Sequence, residues 1–240
     1  MRLRRRLAAE LLGSALLAAT VIGSGIMGQK LADGNLALAL LANTGATVGV
    51  LAVLIALLAP VSGAHFNPAV SMVQVLRRAM TWREAGVYML SQVVGCCLGA
   101  ILAHAMFGLP WLQFSTHNRS GPAQWLSETV ATFGLILVIL GCRRRKDIPW
   151  MVAAWIGAAY WFTASTSFAN PAITIARALS NTFAGISPAD VPGFIVAQLV
   201  GALAAIPVAR WLQLQNHSSA NKLRVGPQSI IKGSRRLFAQ

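Results

Sequence analysis

The sequence predicts an all-α membrane protein with six transmembrane helices plus two re-entrant half-helices, arranged as an inverted three-span repeat. Three observations carry that expectation. Of the 240 residues, 56% are hydrophobic and only 11% charged, with a mean hydropathy of +0.62, whereas a soluble domain carries about 25% charged residues. Six apolar stretches approach or reach the ~20 residues that cross a bilayer core. Two further apolar connections are too short to cross, and both contain the tripeptide Asn-Pro-Ala.

The first stretch follows the basic head MRLRRR and runs from Leu7 to Met27. A secretory signal opens in the same way, but its apolar core spans ~7–15 residues, and Glu10 is out of keeping with one. The stretch reads as a first membrane helix. The others cover approximately 36–58, 84–107, 123–142, 149–166 and 192–213. An even number of spans puts both termini on one side. Arg2, Arg4, Arg5 and Arg6 precede the first span, and Arg77, Arg78 and Arg83 separate the second from the third. Arg143, Arg144, Arg145 and Lys146 separate the fourth from the fifth, and Lys222, Arg224, Lys232, Arg235 and Arg236 follow the sixth. The alternate loops hold little more than Lys30, Arg119 and Arg177. Twenty Lys+Arg against six Asp+Glu also marks nucleic-acid binders. Basic clusters set between apolar runs fit cytoplasmic loops better, with both termini in the cytoplasm and no nucleic-acid partner.

The chain therefore divides into a basic cytoplasmic N-terminus (1–7), a six-span domain (8–213) and a basic, flexible cytoplasmic tail (214–240) that lies on anionic lipid. Within the domain, repeat one covers 8–107 and repeat two 123–213. The halves echo each other: Glu10 with Glu128, Asn67-Pro68-Ala69-Val70 with Asn170-Pro171-Ala172-Ile173, and Gln92-Val-Val-Gly95 with Gln198-Leu-Val-Gly201. Three spans per half make the second copy enter from the opposite face.

The short connections read VSGAHFNPAVSMVQVLRR (Val61 to Arg78) and STSFANPAITIARALS (Ser165 to Ser180). After each Pro, about 10 residues of helical composition give roughly 15 Å, half of a 30 Å core. Irregular backbone at membrane depth is tolerated only where protein buries it or a wet cavity receives it, so these loops imply a pore or substrate site. Asn is a favoured helix N-cap through its side-chain oxygen, and Pro suits the first helical position. The Asn NH2 group is then left to donate into the lumen. Two caps meeting at mid-membrane accept a neutral hydroxyl-bearing solute, and the positive ends of two half-helices repel cations and protons.

Two Asn-Pro-Ala boxes at matching places of a duplicated six-span chain, with SGAHFNPAV (Ser62–Val70) and a Glu opening spans one and four, closely resemble the aquaporin and glycerol-facilitator family of major intrinsic proteins. The match covers Glu10 to about Arg210. The resemblance implies an aquaporin-like fold and a passive channel for small uncharged solutes and water, without cofactor or metal and without enzymatic activity. It implies a homotetramer with one pore per subunit and hydrogen bonds from the re-entrant loops to Glu10 and Glu128. It also implies a selectivity constriction at Thr47, Ala158, Ser167 and Ile173. Most members place an Arg where Ile173 stands, so the constriction is expected to lack both that Arg and an aromatic wall, and to be wider and less charged than a strict water filter.

Arg177, one helical turn beyond Ile173, is a candidate for the outer vestibule or, alternatively, a side chain snorkelling to headgroups or bonded to a loop. The string NPAITIARALSNTFAGI resembles bacterial aquaglyceroporins associated with arsenic resistance. That resemblance makes arsenite and methylated arsenicals, alongside glycerol-like polyols, the expected cargo, and a bacterial inner membrane the expected location. His65 is read as bonding within its loop at the cytoplasmic mouth. Cys96, Cys97 and Cys142 show neither metal nor disulfide spacing and read as packing residues. Trp111, Trp125, Trp150, Trp161 and Trp211 stand near span ends as interfacial anchors. The competing readings are a water-selective pore and an ion-coupled transporter in which Glu10 and Glu128 carry protons.

Overall fold

The computed structural model describes residues 1–214, which are helical and contain no strand. The expected flexible tail from Asn216 to Gln240 lies outside the described residues. Eight α-helices follow in order: α1 Leu3–Leu31, α2 Leu36–Ser62, α3 Pro68–Leu76, α4 Trp82–Met106, α5 Pro122–Gly141, α6 Ile148–Phe162, α7 Pro171–Arg177 and α8 Val191–Trp211. Six match the expected spans; α3 and α7 are the half-helices.

Local chemistry sets these boundaries. Asn35 caps α2 through Leu38 N–H, and Thr81 with Glu84 forms a reciprocal capping box on α4. Five spans are long and apolar enough to cross a membrane. The exception, α6, has 15 residues, a rise of only about 22 Å against a core of about 30 Å. The sequence places this span over 149–166, but Thr163 turns extended (φ −108°, ψ 139°). Its hydroxyl donates to the Ala159 carbonyl at 2.7 Å, and the re-entrant loop starts there.

Within each half the first helix packs on the last, α1 on α4 and α5 on α8. Glycine makes these approaches close. A Cβ at Gly95 would overlap the Leu11 carbonyl oxygen, and one at Gly201 the Thr129 carbonyl oxygen. Those partners each directly follow the paired glutamates, so both seams sit at the same level as the buried carboxylates. The half-helices tie the halves together, since α3 also contacts α8, α7 contacts α4, and α3 contacts α7. Leucines and valines such as Val53, Leu57, Leu126 and Val196 are exposed around the outside, as an apolar surface facing lipid requires.

Candidate functional site

The two re-entrant loops are built alike. Ala64 and Phe66 have φ near +49°, and Ser167 and Ala169 have φ of +50° and +47°. A left-handed conformation costs a non-Gly residue about 1–2 kcal/mol, so each loop needs an external restraint. The paired glutamates supply it. Glu10, fully buried, accepts from Ser62 Oγ (2.6 Å), His65 N (3.0 Å), Phe66 N (2.7 Å) and Gln92 Nε2 (2.8 Å). Glu128, equally buried, accepts from Ser165 Oγ (2.6 Å), Phe168 N (2.8 Å), Ala169 N (2.8 Å) and Gln198 Nε2 (2.6 Å). The glutamines reach onward to Ser71 and Thr174, on the first turns of α3 and α7. One carboxylate thus fixes the strained loop and, through its glutamine, the half-helix.

Each Asn caps its half-helix. Asn67 Oδ1 accepts from Ala69 N at 2.9 Å, and Asn170 Oδ1 from Ala172 N at 3.0 Å. The NH2 groups depart from expectation, because neither is wholly left to the lumen. Asn67 Nδ2 donates to the Ala169 carbonyl at 2.7 Å, and Asn170 Nδ2 to the Phe66 carbonyl at 2.8 Å. Each box is stitched to the residue preceding the other. An amide nitrogen carries two hydrogens, so one N–H per box remains.

Both asparagines line a cavity of about 890 Å³. One end opens between Arg6, Arg77, Arg145 and Lys146; the walls at the other level include Thr47, Tyr160, Ser167, Ile173 and Arg177. His65 lines the cavity near the first end, its Nδ1 3.0 Å from Ser71 Oγ. Four of the predicted side chains, Thr47, Ser167, Ile173 and Arg177, therefore line the same cavity.

Ala158 does not join them. It is exposed on the outer face of α6, and Tyr160 lines the cavity instead. Two residues on a helix are about 200° apart, so moving the assignment by two exchanges the two faces. Tyr160 is buried, with its hydroxyl 3.2 Å from Thr47 Oγ1. The wall thus has the aromatic residue that the sequence reading denied it. Arg177 combines both readings offered for it. It lines the cavity, yet Nε donates to the Ala184 carbonyl and the guanidinium lies 3.4 Å from the Phe168 ring centroid, a cation–π contact. Its Nη1 is buried without a protein partner, as is Ser167 Oγ.

Sequence reasoning missed Arg119, which it treated as a loop cation. Arg119 Nε donates to the Gly185 carbonyl at 2.8 Å, and its guanidinium stands 5.2 Å from the same Phe168 ring. Burial holds it below the usual arginine range. It also missed His104, fully buried, which joins the Trp111 carbonyl (2.9 Å) to Ser180 Oγ (2.8 Å) and so ties α4 to the chain following α7. The paired serines were legible, since Ser62 and Ser165 each stand five residues before the box Asn.

The chain as a whole is similar to known proteins. The family described as Major intrinsic protein matches residues 1–160. Aquaglyceroporin AqpS of Rhizobium meliloti (strain 1021) is 55% identical over 212 residues, covering 88% of this chain and 91% of that protein. The probable aquaporin AqpM of Archaeoglobus fulgidus is 26% identical over 234 residues, covering 85% and 95%. The X-ray structure of the aquaglyceroporin from Plasmodium falciparum superposes with a TM-score of 0.68 at 18% identity, over 88% of this chain and 100% of that one. At that identity the likeness concerns the fold.

Proposed function

We infer the function from one premise: the chain belongs to the major intrinsic protein family. It is a membrane channel for glycerol-like small solutes and not an enzyme. The finer reading is that solutes meet the two remaining Asn N–H groups at the cavity centre, where a hydroxyl is accepted. Cations and protons are rejected there by the positive ends of the two half-helices. Selection falls to Thr47, Tyr160, Ser167 and Ile173, with Ala158 replaced by Tyr160 in the set. Arg177 adds a fixed positive charge one turn beyond Ile173.

The observation that carries this reading is Ile173 in the wall where most family members have an Arg. An apolar side chain there favours polyols and undissociated metalloid hydroxides such as arsenite or methylated arsenicals over a strict water filter. The name of the 55% identical relative, an aquaglyceroporin, supports the polyol part. The string from Asn170 to Ile186 supports the metalloid part. The chain is read as a homotetramer in the bacterial inner membrane with both termini cytoplasmic, the basic clusters supplying the orientation.

Vesicles carrying the pure protein test this by side-by-side permeability to water, glycerol and arsenite. Glycerol and arsenite flux down their own gradients, without an ion gradient, is expected. Fast water flux with glycerol excluded would replace this reading with a water-selective pore, which the Tyr160–Thr47 bridge across the wall favours. Proton coupling through Glu10 and Glu128 is disfavoured, because each carboxylate is held by four donors. Collapse of flux with an uncoupler would revive it.

A further inference from the structure

The mouth of the cavity on the side of the chain's N-terminus carries an unbalanced charge. Arg6, Arg77, Arg145 and Lys146 line it, and no Asp or Glu lines the cavity among the described residues. All six acids of the chain can be accounted for. Glu10 and Glu128 are buried under the re-entrant loops. Asp33 lies in the α1–α2 turn, and Asp190 accepts from Arg119 N at 2.7 Å. Glu84 pairs with Arg6 at 3.1 Å. Only Asp147, next to Lys146, remains for Arg77, Arg145 and Lys146. Arg77 also has Arg210 for a neighbour, and burial together with that like charge pushes it below the usual arginine range.

Cytoplasmic clusters that merely set orientation face the headgroups. These three face the opening of the solute path, from the end of α3 and from the 3₁₀ turn Arg145–Asp147 ahead of α6. Three cations against one carboxylate match a dianion. Two planar guanidinium forks and an ammonium suit an oxyanion with several acceptor oxygens better than they suit chloride.

We propose that Arg77, Arg145 and Lys146 form an anion site that takes a phosphate group, and that a bound phosphate closes this mouth. The group cannot pass inward, because the wall beyond includes Leu51, Ile55, Val152 and Ile156 and stripping a charge of water there is prohibitive. Both inorganic phosphate in solution and a phosphomonoester lipid headgroup, unlike the singly charged phosphodiester of phosphatidylcholine, have the required chemistry. The proposal rests on the channel reading above.

The test uses the full chain in phosphatidylcholine vesicles, with glycerol flux measured in chloride and in inorganic phosphate at equal ionic strength on both faces. Phosphate is expected to slow glycerol several-fold. The block should weaken as chloride is added, since exposed charges are screened. The combined variant Arg77→Gln, Arg145→Gln, Lys146→Gln, referred to its own rate in chloride, should lose the block. A second arm adds phosphatidate to the vesicles without free phosphate. Slow flux there, relieved in the variant, assigns the site to a headgroup; block by free phosphate alone assigns it to a soluble ligand. Wild-type flux that ignores both, or a variant slowed as much as wild type, would overturn the proposal. Absence of glycerol flux in chloride and phosphatidylcholine would instead overturn the reading on which it rests.

Discussion

Removing the Glu128 carboxylate strands two backbone donors that cannot turn elsewhere, Phe168 N–H and Ala169 N–H, each 2.8 Å from it. The Ser165 hydroxyl can rotate, and Gln198 Nε2 keeps Thr174 Oγ1 at 2.9 Å. A stranded buried group costs about 1–3 kcal/mol, so Glu128→Ala loses about 2–6 kcal/mol through the two amides. The left-handed Ser167 and Ala169 recover some of this by relaxing, but that swings the Ala169 carbonyl away from Asn67 Nδ2. Loss of stability and loss of the box geometry are therefore coupled. Glu128→Gln keeps one acceptor oxygen and turns an NH2 towards the Ala169 N–H, which strands one amide, about 1–3 kcal/mol. Thermal unfolding of the purified protein, followed by tryptophan fluorescence, measures both. At about 2–4 °C per kcal/mol for a chain of this size, Glu128→Ala should melt on the order of 10 °C lower and Glu128→Gln roughly half as far. Glycerol flux should fall in the same order. An alanine variant melting within about 2 °C of wild type, with flux intact, would refute the idea that this carboxylate holds the loop.

Four further outcomes follow from the same geometry. Ile173→Arg should cut glycerol flux about tenfold, a barrier increase of ~1.4 kcal/mol, while slowing water less; equal loss of both would contradict the wall assignment. Tyr160→Phe should cost about 0.5–1.5 kcal/mol through the Thr47 bond and shift the glycerol-to-water flux ratio. Ala158→Ser, on the outer face, should leave that ratio unchanged. Gly201→Val, driven into the Thr129 carbonyl, should destabilise by about 1–3 kcal/mol, whereas Gly86→Ala, with open space around it, should be neutral or gain up to ~1 kcal/mol.

The repeat, the six spans and the half-helices were legible because apolar length and paired motifs are properties of the chain itself. The family resemblance named Glu10 and Glu128 as partners of the loops, in keeping with the need of an intramembrane carboxylate for donors. Ala158 stands outside the wall because the family's spacing to Asn170 carries over only without a gap, whereas α6 stops at Phe162 and two residues, Thr163 and Ala164, leave the helix before Ser165. In the first half α2 continues to Ser62, the equivalent of Ser165, so nothing there warns of the difference. The Asn67–Ala169 and Asn170–Phe66 bonds depend on segments that meet only when the halves close, and the contact of Arg119 with Gly185 joins residues 66 apart in sequence. No local pattern encodes them.

The crossed asparagine bonds also set a schedule for assembly. Asn67 finds its acceptor 102 residues later in the chain. At about 5–20 residues per second of synthesis, the first half waits roughly 5–20 s with its amide and the Phe66 carbonyl unpaired inside the bilayer. During that interval it is an unfinished object, with a buried donor and acceptor available to any passing helix. Expressed as two separate polypeptides, the halves should therefore accumulate only when made together, each acting as the folding template of the other.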